Sequence, residues 1–269
     1  MTCPICRGTE ARFAEAIVRS RYRATYVRCS GCGYVRADQP HWLEEAYADS
    51  ALDVLDTGIA ARNIELSERT AAILAWNRPR AGVCVDHGGG SGLLVRLLRD
   101  RGYDFRWRDP YCTNQFARGF EATAGTHYDV LTAFEVMEHL TDPLSSVRSW
   151  FQEADFIIIS TELMPARDNL PGQWHYYMPD SGQHVGFFTL ATLRTLAAQL
   201  GLNLTSDGRW LHVLSKGSLP SPHFMRLIRK RKWRRLLLRH NRRRTLAWSD
   251  QRLLATRYAM PDGRQTLET

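Results

Sequence analysis

Asp86-His87-Gly88-Gly89-Gly90-Ser91-Gly92 follows the apolar run Val83-Cys84-Val85 and precedes Leu93, Leu94, Leu97 and Leu98, which share one helical face. The pattern is strand, glycine turn, helix, with Gly102 as the helix stop. Glycines at 88, 90 and 92 let the backbone turn sharply and come close to a ligand. Two familiar nucleotide loops do not fit. A dinucleotide G-x-G-x-x-G starting at Gly88 would need its last glycine where Leu93 stands. A P-loop would need Lys followed by Ser or Thr after the glycines, and neither is there.

Further strand and helix patterns extend from this turn. Tyr103 to Arg108 reads as a second strand and ends at Asp109, twenty-three residues after Asp86. Tyr128 to Phe134 and Phe156 to Ser160 are further strands, and Thr189 to Leu200 is a helix with Gly201 after it. Leu202–Thr205 and Trp210–Leu214 suit a terminal antiparallel pair. Strands alternating with helices over residues 81–216 indicate an α/β, Rossmann-like doubly wound sheet. Cys84 lies inside a buried strand and reads as core.

D-x-G-x-G-x-G after a strand resembles motif I of the class I S-adenosylmethionine (SAM) methyltransferases. The run from Tyr128 to Leu140, Tyr-Asp-Val-Leu-Thr-Ala-Phe-Glu-Val-Met-Glu-His-Leu, resembles that family's fourth strand and following turn, with Asp142-Pro143 after it. The resemblance covers residues 81–216. It implies that Asp86, Gly88, Gly90, Gly92, Asp109 and Phe134 bind SAM, with Asp109 accepting from the ribose hydroxyls. His87 stands where a small or apolar residue is more usual, and its side chain need not face the ligand. On the preceding helix, Arg62 and Asn63 are weaker candidates for the cofactor carboxylate.

Glu135, Glu138 and His139 are spaced E-x-x-E-H and would share a face if they open a helix. Two carboxylates and an imidazole suit a divalent cation with open positions. The pattern resembles the metal site of small-RNA 2′-O-methyltransferases and of ubiquinone-pathway O-methyltransferases. The former add a later His followed five residues on by Thr, as His184 and Thr189 are here. That resemblance implies Mg2+ or a similar ion on Glu135, Glu138, His139 and His184, with His139 and Glu138 nearest the chemistry. Two other readings stand beside it. His139 acts alone as a general base, or the acids only shape the pocket. Trp174-His175-Tyr176-Tyr177 is expected to lie over the strand ends, either stacking on a substrate ring or packed as loop aromatics.

Before this domain, Cys3-Pro4-Ile5-Cys6 and Cys29-Ser30-Gly31-Cys32 form two knuckles separated by twenty-two residues. Two C-x-x-C pairs in a chain without an apolar leader suit a closed four-cysteine Zn2+ site, so residues 1–40 resemble a zinc ribbon. So small a module would draw its folding energy from zinc, ~10–16 kcal/mol in small finger peptides. Residues 41–80 read as a helical cap or linker closed by Pro79 and Gly82.

The chain has 269 residues and a net charge of +8, unevenly spread. Between His223 and Tyr258 there are thirteen Lys or Arg and one acid, Asp250, a net +12 that leaves the remainder near −4. Residues 217–269 therefore read as a basic amphipathic tail. At 44% hydrophobic and 24% charged residues the composition is globular, and no apolar run approaches the ~20 residues of a membrane span. The expected place is cytoplasmic, with the tail read either as docking on the anionic inner membrane face or on the acidic parts of a partner, or as solvated helices packed on the domain. The expected activity is SAM-dependent O-methylation of a sugar or glycan-precursor hydroxyl, in the setting of polysaccharide biosynthesis. The alternatives are an RNA methyltransferase gripping RNA with ribbon and tail, and a degenerate core used as an interaction module.

Overall fold

The computed structural model describes residues 1–48, 57–78, 80–167 and 169–258. Pro79 and parts of the expected cap (49–56) and tail (259–269) lie outside the described residues.

The body is a six-stranded sheet in the order β5-β4-β6-β7-β10-β9. Four of its strands, β4 (Val83–His87), β5 (Asp104–Arg108), β6 (Val130–Phe134) and β7 (Phe156–Ser160), are mutually parallel. β6 and β7 are buried along their whole length, as expected for strands covered by helices on both faces. β9 (Asn203–Ser206) and β10 (Leu211–Ser215) form the antiparallel pair at the far edge. The chain runs outward from β4 in both directions, to β5 on one side and β6 on the other. That reversal opens a crevice at the carboxyl ends of the strands, the usual ligand position in such sheets.

The covering helices carry their own stop and start signals. α2 (Ile59–Asn77) and α3 (Leu93–Asp100) pack against each other, and Leu94, Val95 and Leu98 of α3 are buried. α4 (Pro143–Glu153) starts at Asp142, whose side chain accepts from the Ser145 amide at 3.1 Å, with Pro143 in the first turn. α5 (Leu190–Gln199) opens with a capping box between Thr189 and Thr192.

The N-terminal module differs from a free-standing unit. β1 (Glu10–Val18), β2 (Tyr22–Cys29) and β3 (Val35–Ala37) form an antiparallel sheet whose fourth strand is β8 (Gly186–Phe187), from the body. Cys3, Cys29, Cys32 and Tyr34 belong to the same apolar cluster as Met137, Ile159 and Phe188. A short module thus shares the core it cannot build alone. The short helix α1 (Leu43–Ala48) follows β3.

The basic segment is folded onto the body as α6 (Pro222–Leu227), α7 (Arg231–His240) and α8 (Ala247–Tyr258). Asp250, the single acid between His223 and Tyr258, is the anchor. The Asp250 carboxylate accepts from Arg99 Nη2 at 2.7 Å and Nε at 2.8 Å in a buried, two-pronged pair. Arg234 is buried as well, donating to Glu68 of α2 at 3.0 Å and to the Ile228 carbonyl at 2.8 Å. Among the described residues no helix is long and apolar enough to cross a membrane.

Candidate active site

The glycine turn closes β4 as the sequence implies, but its glycines serve different ends. Gly88, Gly90 and Gly92 all have positive φ, at 71°, 52° and 84°. A Cβ on Gly88 would meet Val136 at 2.6 Å, and one on Gly92 would meet Asn114 Oδ1 at 2.7 Å. Those two positions exclude side chains to let protein pack against protein. A Cβ on Gly90 would meet nothing within 4 Å, so this is the glycine that faces open space. His87 turns away from the turn, packing its ring on Trp150 at 5.3 Å, and burial pulls its pKa down to about 4.

Asp109 braces the turn. One carboxylate oxygen accepts from the Gly90 amide at 2.9 Å, and the other accepts from the Tyr111 and Cys112 amides at 2.8 and 2.9 Å. A carboxylate has about four acceptor positions, so one remains for a ligand hydroxyl. Asp86 is 2% exposed and takes a 2.6 Å bond from the Thr132 hydroxyl. Burial raises its pKa to about 7, which the Thr132 bond only partly offsets. Phe134, 8% exposed, ends β6 and packs into the apolar cluster on the α2–α3 side of the sheet. Asn63 is spent on its own helix, donating to the Ile59 carbonyl at 2.8 Å.

Beyond β6 the expected helix does not form. Glu135 takes a left-handed backbone conformation, φ 53°, and a single 3-10 turn follows over Met137–His139. This swings Glu135 out of line with Glu138 and His139. Its carboxylate instead accepts from the Ser160 hydroxyl at 2.6 Å and from Trp210 Nε1 at 2.8 Å. The expected four-ligand set is corrected to three. Glu138, His139 and His184 converge, each with one ligand atom, and these atoms lie within 4.8 Å of one another.

Each member of the trio is aimed by a second group. The Tyr176 hydroxyl donates to Glu138 Oε1 at 2.6 Å, while Oε2 is buried without a hydrogen-bond partner. His184 Nδ1 lies 2.6 Å from the Tyr176 carbonyl, and His139 Nδ1 lies 3.0 Å from the Tyr47 hydroxyl of α1. In both rings Nε2 remains as the nitrogen available to a ligand. An imidazole fixed through one nitrogen and free at the other is the arrangement seen in metal sites. Burial, reinforced by Glu135, pushes the Glu138 carboxyl well above its usual range. Burial, with His184 adding to it, holds His139 well below the usual imidazole value, and His184 falls to about 4, chiefly through burial.

The trio is assembled by the N-terminal sheet. The Ala37 amide donates to the Val185 carbonyl at 2.8 Å, and the Val185 amide donates to the Glu138 carbonyl at 2.8 Å. β3, the residue after His184, and Glu138 are thus tied in one line. Trp174, Tyr176 and Tyr177 are buried, packing with Tyr26 and Phe187 in the module's core. They are packed aromatics and do not present open faces to a ligand. Tyr176, expected over the strand ends as a stacking or packed aromatic, instead aims Glu138 and His184, and the role of Tyr47 escaped sequence reasoning. Nothing in the pattern around Tyr47 marks it.

The four cysteines also come together, with all four sulfurs within 4.8 Å of one another. The Gly8 and Gly31 amides donate to Cys6 Sγ and Cys29 Sγ at 3.4 and 3.3 Å. Burial opposes ionisation of Cys29, but bonds from the Cys32 and Gly31 amides and the neighbouring thiols outweigh it and bring its pKa to about 7. Burial drives Cys3 up to about 11.

Residues 60–207, more than half of the chain, match the family model described as "Methyltransferase domain". No curated protein matches. Solved structures with a similar fold include the mitomycin 7-O-methyltransferase MmcR, at 13% identity and TM-score 0.47, covering 65% of this chain and 60% of that one. The plantazolicin methyltransferase BpumL, in complex with SAH, aligns at 10% identity and TM-score 0.48, over 65% of this chain and 93% of that one. An O-methyltransferase family protein from Burkholderia thailandensis aligns at 13% identity and TM-score 0.45, over 65% and 63%. The aligned part of this chain spans about three fifths of the length of MmcR.

Proposed function

The chain belongs to the methyltransferase-domain family, and from that premise we propose that it is a SAM-dependent O-methyltransferase acting on a hydroxyl of a sugar or glycan precursor, assisted by a divalent cation. The observation that carries the reading is the convergence of Glu138, His139 and His184 at the carboxyl end of the sheet, with Glu138 Oε2 buried and unpartnered. A buried acceptor without a donor is costly, and a bound cation would satisfy it.

The cofactor residues fit as well. Gly90 opens onto free space beside Asp109, and Asp86 sits buried beneath the turn. Bound SAM would supply an electrophilic methyl on a sulfonium. A cation on the trio would act as a Lewis acid, lowering the pKa of a substrate hydroxyl. The chain's own part is orientation. Asp109 holds the Gly90 amide, and Tyr47 and Tyr176 fix His139, His184 and Glu138 before substrate arrives. His139, neutral because of its burial, is suited to lend Nε2 to that cation while Tyr47 holds Nδ1. Three protein ligands leave open positions, which suits chelation of two adjacent hydroxyls.

A second reading, His139 as general base without metal, draws support from the same Tyr47 contact and the same lowered pKa. The four cysteines are proposed to hold a structural Zn2+. Four mutually close sulfurs, two of them receiving amide bonds, are the donor set of a closed tetrahedral site.

The test is transfer of labelled methyl from SAM into an extract of cells lacking this chain, with Mg2+ or with EDTA, followed by fractionation. Label in the glycan or small-molecule fraction, lost with EDTA, is expected. Label that persists in EDTA supports the metal-free base, and label removed by ribonuclease would overturn the sugar reading.

A further inference from the structure

The basic segment packs on the body yet leaves one face uncovered. α2, α6 and α7 enclose an apolar groove of about 400 Å³ lined by Trp76, Phe224, Leu227, Trp233, Leu236 and Leu237. Its rim is exposed although apolar. Trp76 is 62% exposed, and Trp233 and Leu236 are each 46% exposed. On α7, Trp233, Leu236, Leu237 and His240 follow the i, i+3, i+4, i+7 spacing and so form one face. Arg234 and Leu238 point about a third of a turn away, and Arg234 is buried against Glu68 of α2. The remaining arc of the helix carries Arg231, Lys232, Arg235 and Arg239, all exposed.

Arg229 and Lys230 extend this cationic strip to six exposed residues. Among the described residues none of the six takes part in an ion pair. The nearby acids of α2, Glu65 and Glu68, are engaged by Arg69, Arg101 and Arg234. An unpaired cationic strip beside an exposed Trp/Leu face is the make-up of a helix that lies in a membrane interface.

We propose that the α6–α7 face docks the protein on an anionic phospholipid surface, with Trp233, Leu236 and Trp76 entering the headgroup boundary and the α7 cations facing lipid phosphates. The groove argues for lipid over nucleic acid. Leu227, Ile228, Leu236 and Leu237 line it beside the aromatics, and Trp76 is already stacked on Phe224, 5.2 Å between centroids and 21° between planes. Leucines offer nothing to a polyanion, and stacking of bases needs open ring faces. Docking is peripheral, because no described helix is a membrane span.

The test is co-sedimentation of the full chain with vesicles of phosphatidylcholine alone or with added phosphatidylglycerol. Binding only to the anionic vesicles, weakening with salt, is expected. Lys232→Gln/Arg235→Gln/Arg239→Gln should weaken that binding by about tenfold or more. Trp233→Ser/Leu236→Ser should weaken it about tenfold with an unchanged melting temperature, since both side chains are half-exposed. Failure to bind anionic vesicles would overturn the proposal. Undiminished binding by the Trp233→Ser/Leu236→Ser variant would overturn it too. So would tighter binding to polyuridylate than to vesicles, which would reassign the strip to nucleic acid.

Discussion

Glu138→Gln is expected to lower methyl transfer by about 10²–10³ and to abolish its dependence on divalent metal, while SAM affinity stays within about twofold. The substitution is close to isosteric, so the Tyr176 hydroxyl keeps an oxygen partner at Oε1. What it removes is the ionisable oxygen, Oε2, that is buried without a partner. The comparison with His184→Ala separates two explanations. If the trio binds a cation, both variants lose metal stimulation, although His184 lies on a different segment from Glu138 and His139. If His139 is a base without metal, His184→Ala leaves activity insensitive to EDTA and only modestly reduced. Metal titrations followed by activity and by calorimetry distinguish these outcomes.

The second large effect is expected at the cysteine cluster. Cys32→Ser should release one zinc per chain and lower the melting temperature sharply. Removing one ligand of a closed four-sulfur site forfeits much of a binding free energy that is also folding free energy. The damage should not stay local. Cys3, Cys29 and Cys32 are nine-tenths buried or more within the main core, and the Cys32 carbonyl accepts from the Thr192 hydroxyl of the α5 capping box at 2.8 Å. The next strand, β3, holds β8 and the Val185 carbonyl, adjacent to His184. Loss of zinc should therefore reduce methyl transfer along with stability. Metal analysis and thermal melting check this, and a Cys32→Ser chain that retains one zinc would remove the four-cysteine site from consideration.

The core of this protein was legible because its signals are local. The strand leading to Asp86, the glycines, the leucine stripe of α3 and the acid at 109 fall within twenty-seven residues and each has one structural meaning. The strand Phe156–Ser160 followed from a continuous apolar run in the same way, and the terminal antiparallel pair was placed to within one residue, expected at Leu202–Thr205 and Trp210–Leu214 and found at Asn203–Ser206 and Leu211–Ser215. What could not be read depends on long-range contact. Glu135 has the spacing of a helical ligand, but Ser160 and Trp210 claim its carboxylate and its backbone turns left-handed. The pairing of β3 with β8 joins residues about 150 apart and has no periodic signature, because β8 is two residues long. The basic segment reads as amphipathic, yet only the structure reveals that Asp250 clamps Arg99 and fixes the segment to the body.

Binding of SAM by calorimetry to the wild-type chain and to Asp109→Ala tests the central claim most directly. A single site in the wild type is expected, with affinity reduced at least ~tenfold by Asp109→Ala, because the substitution removes both the remaining acceptor and the brace on Gly90. No detectable SAM binding by the wild-type chain, or an affinity unchanged in Asp109→Ala, would contradict the assignment of this turn as the cofactor site.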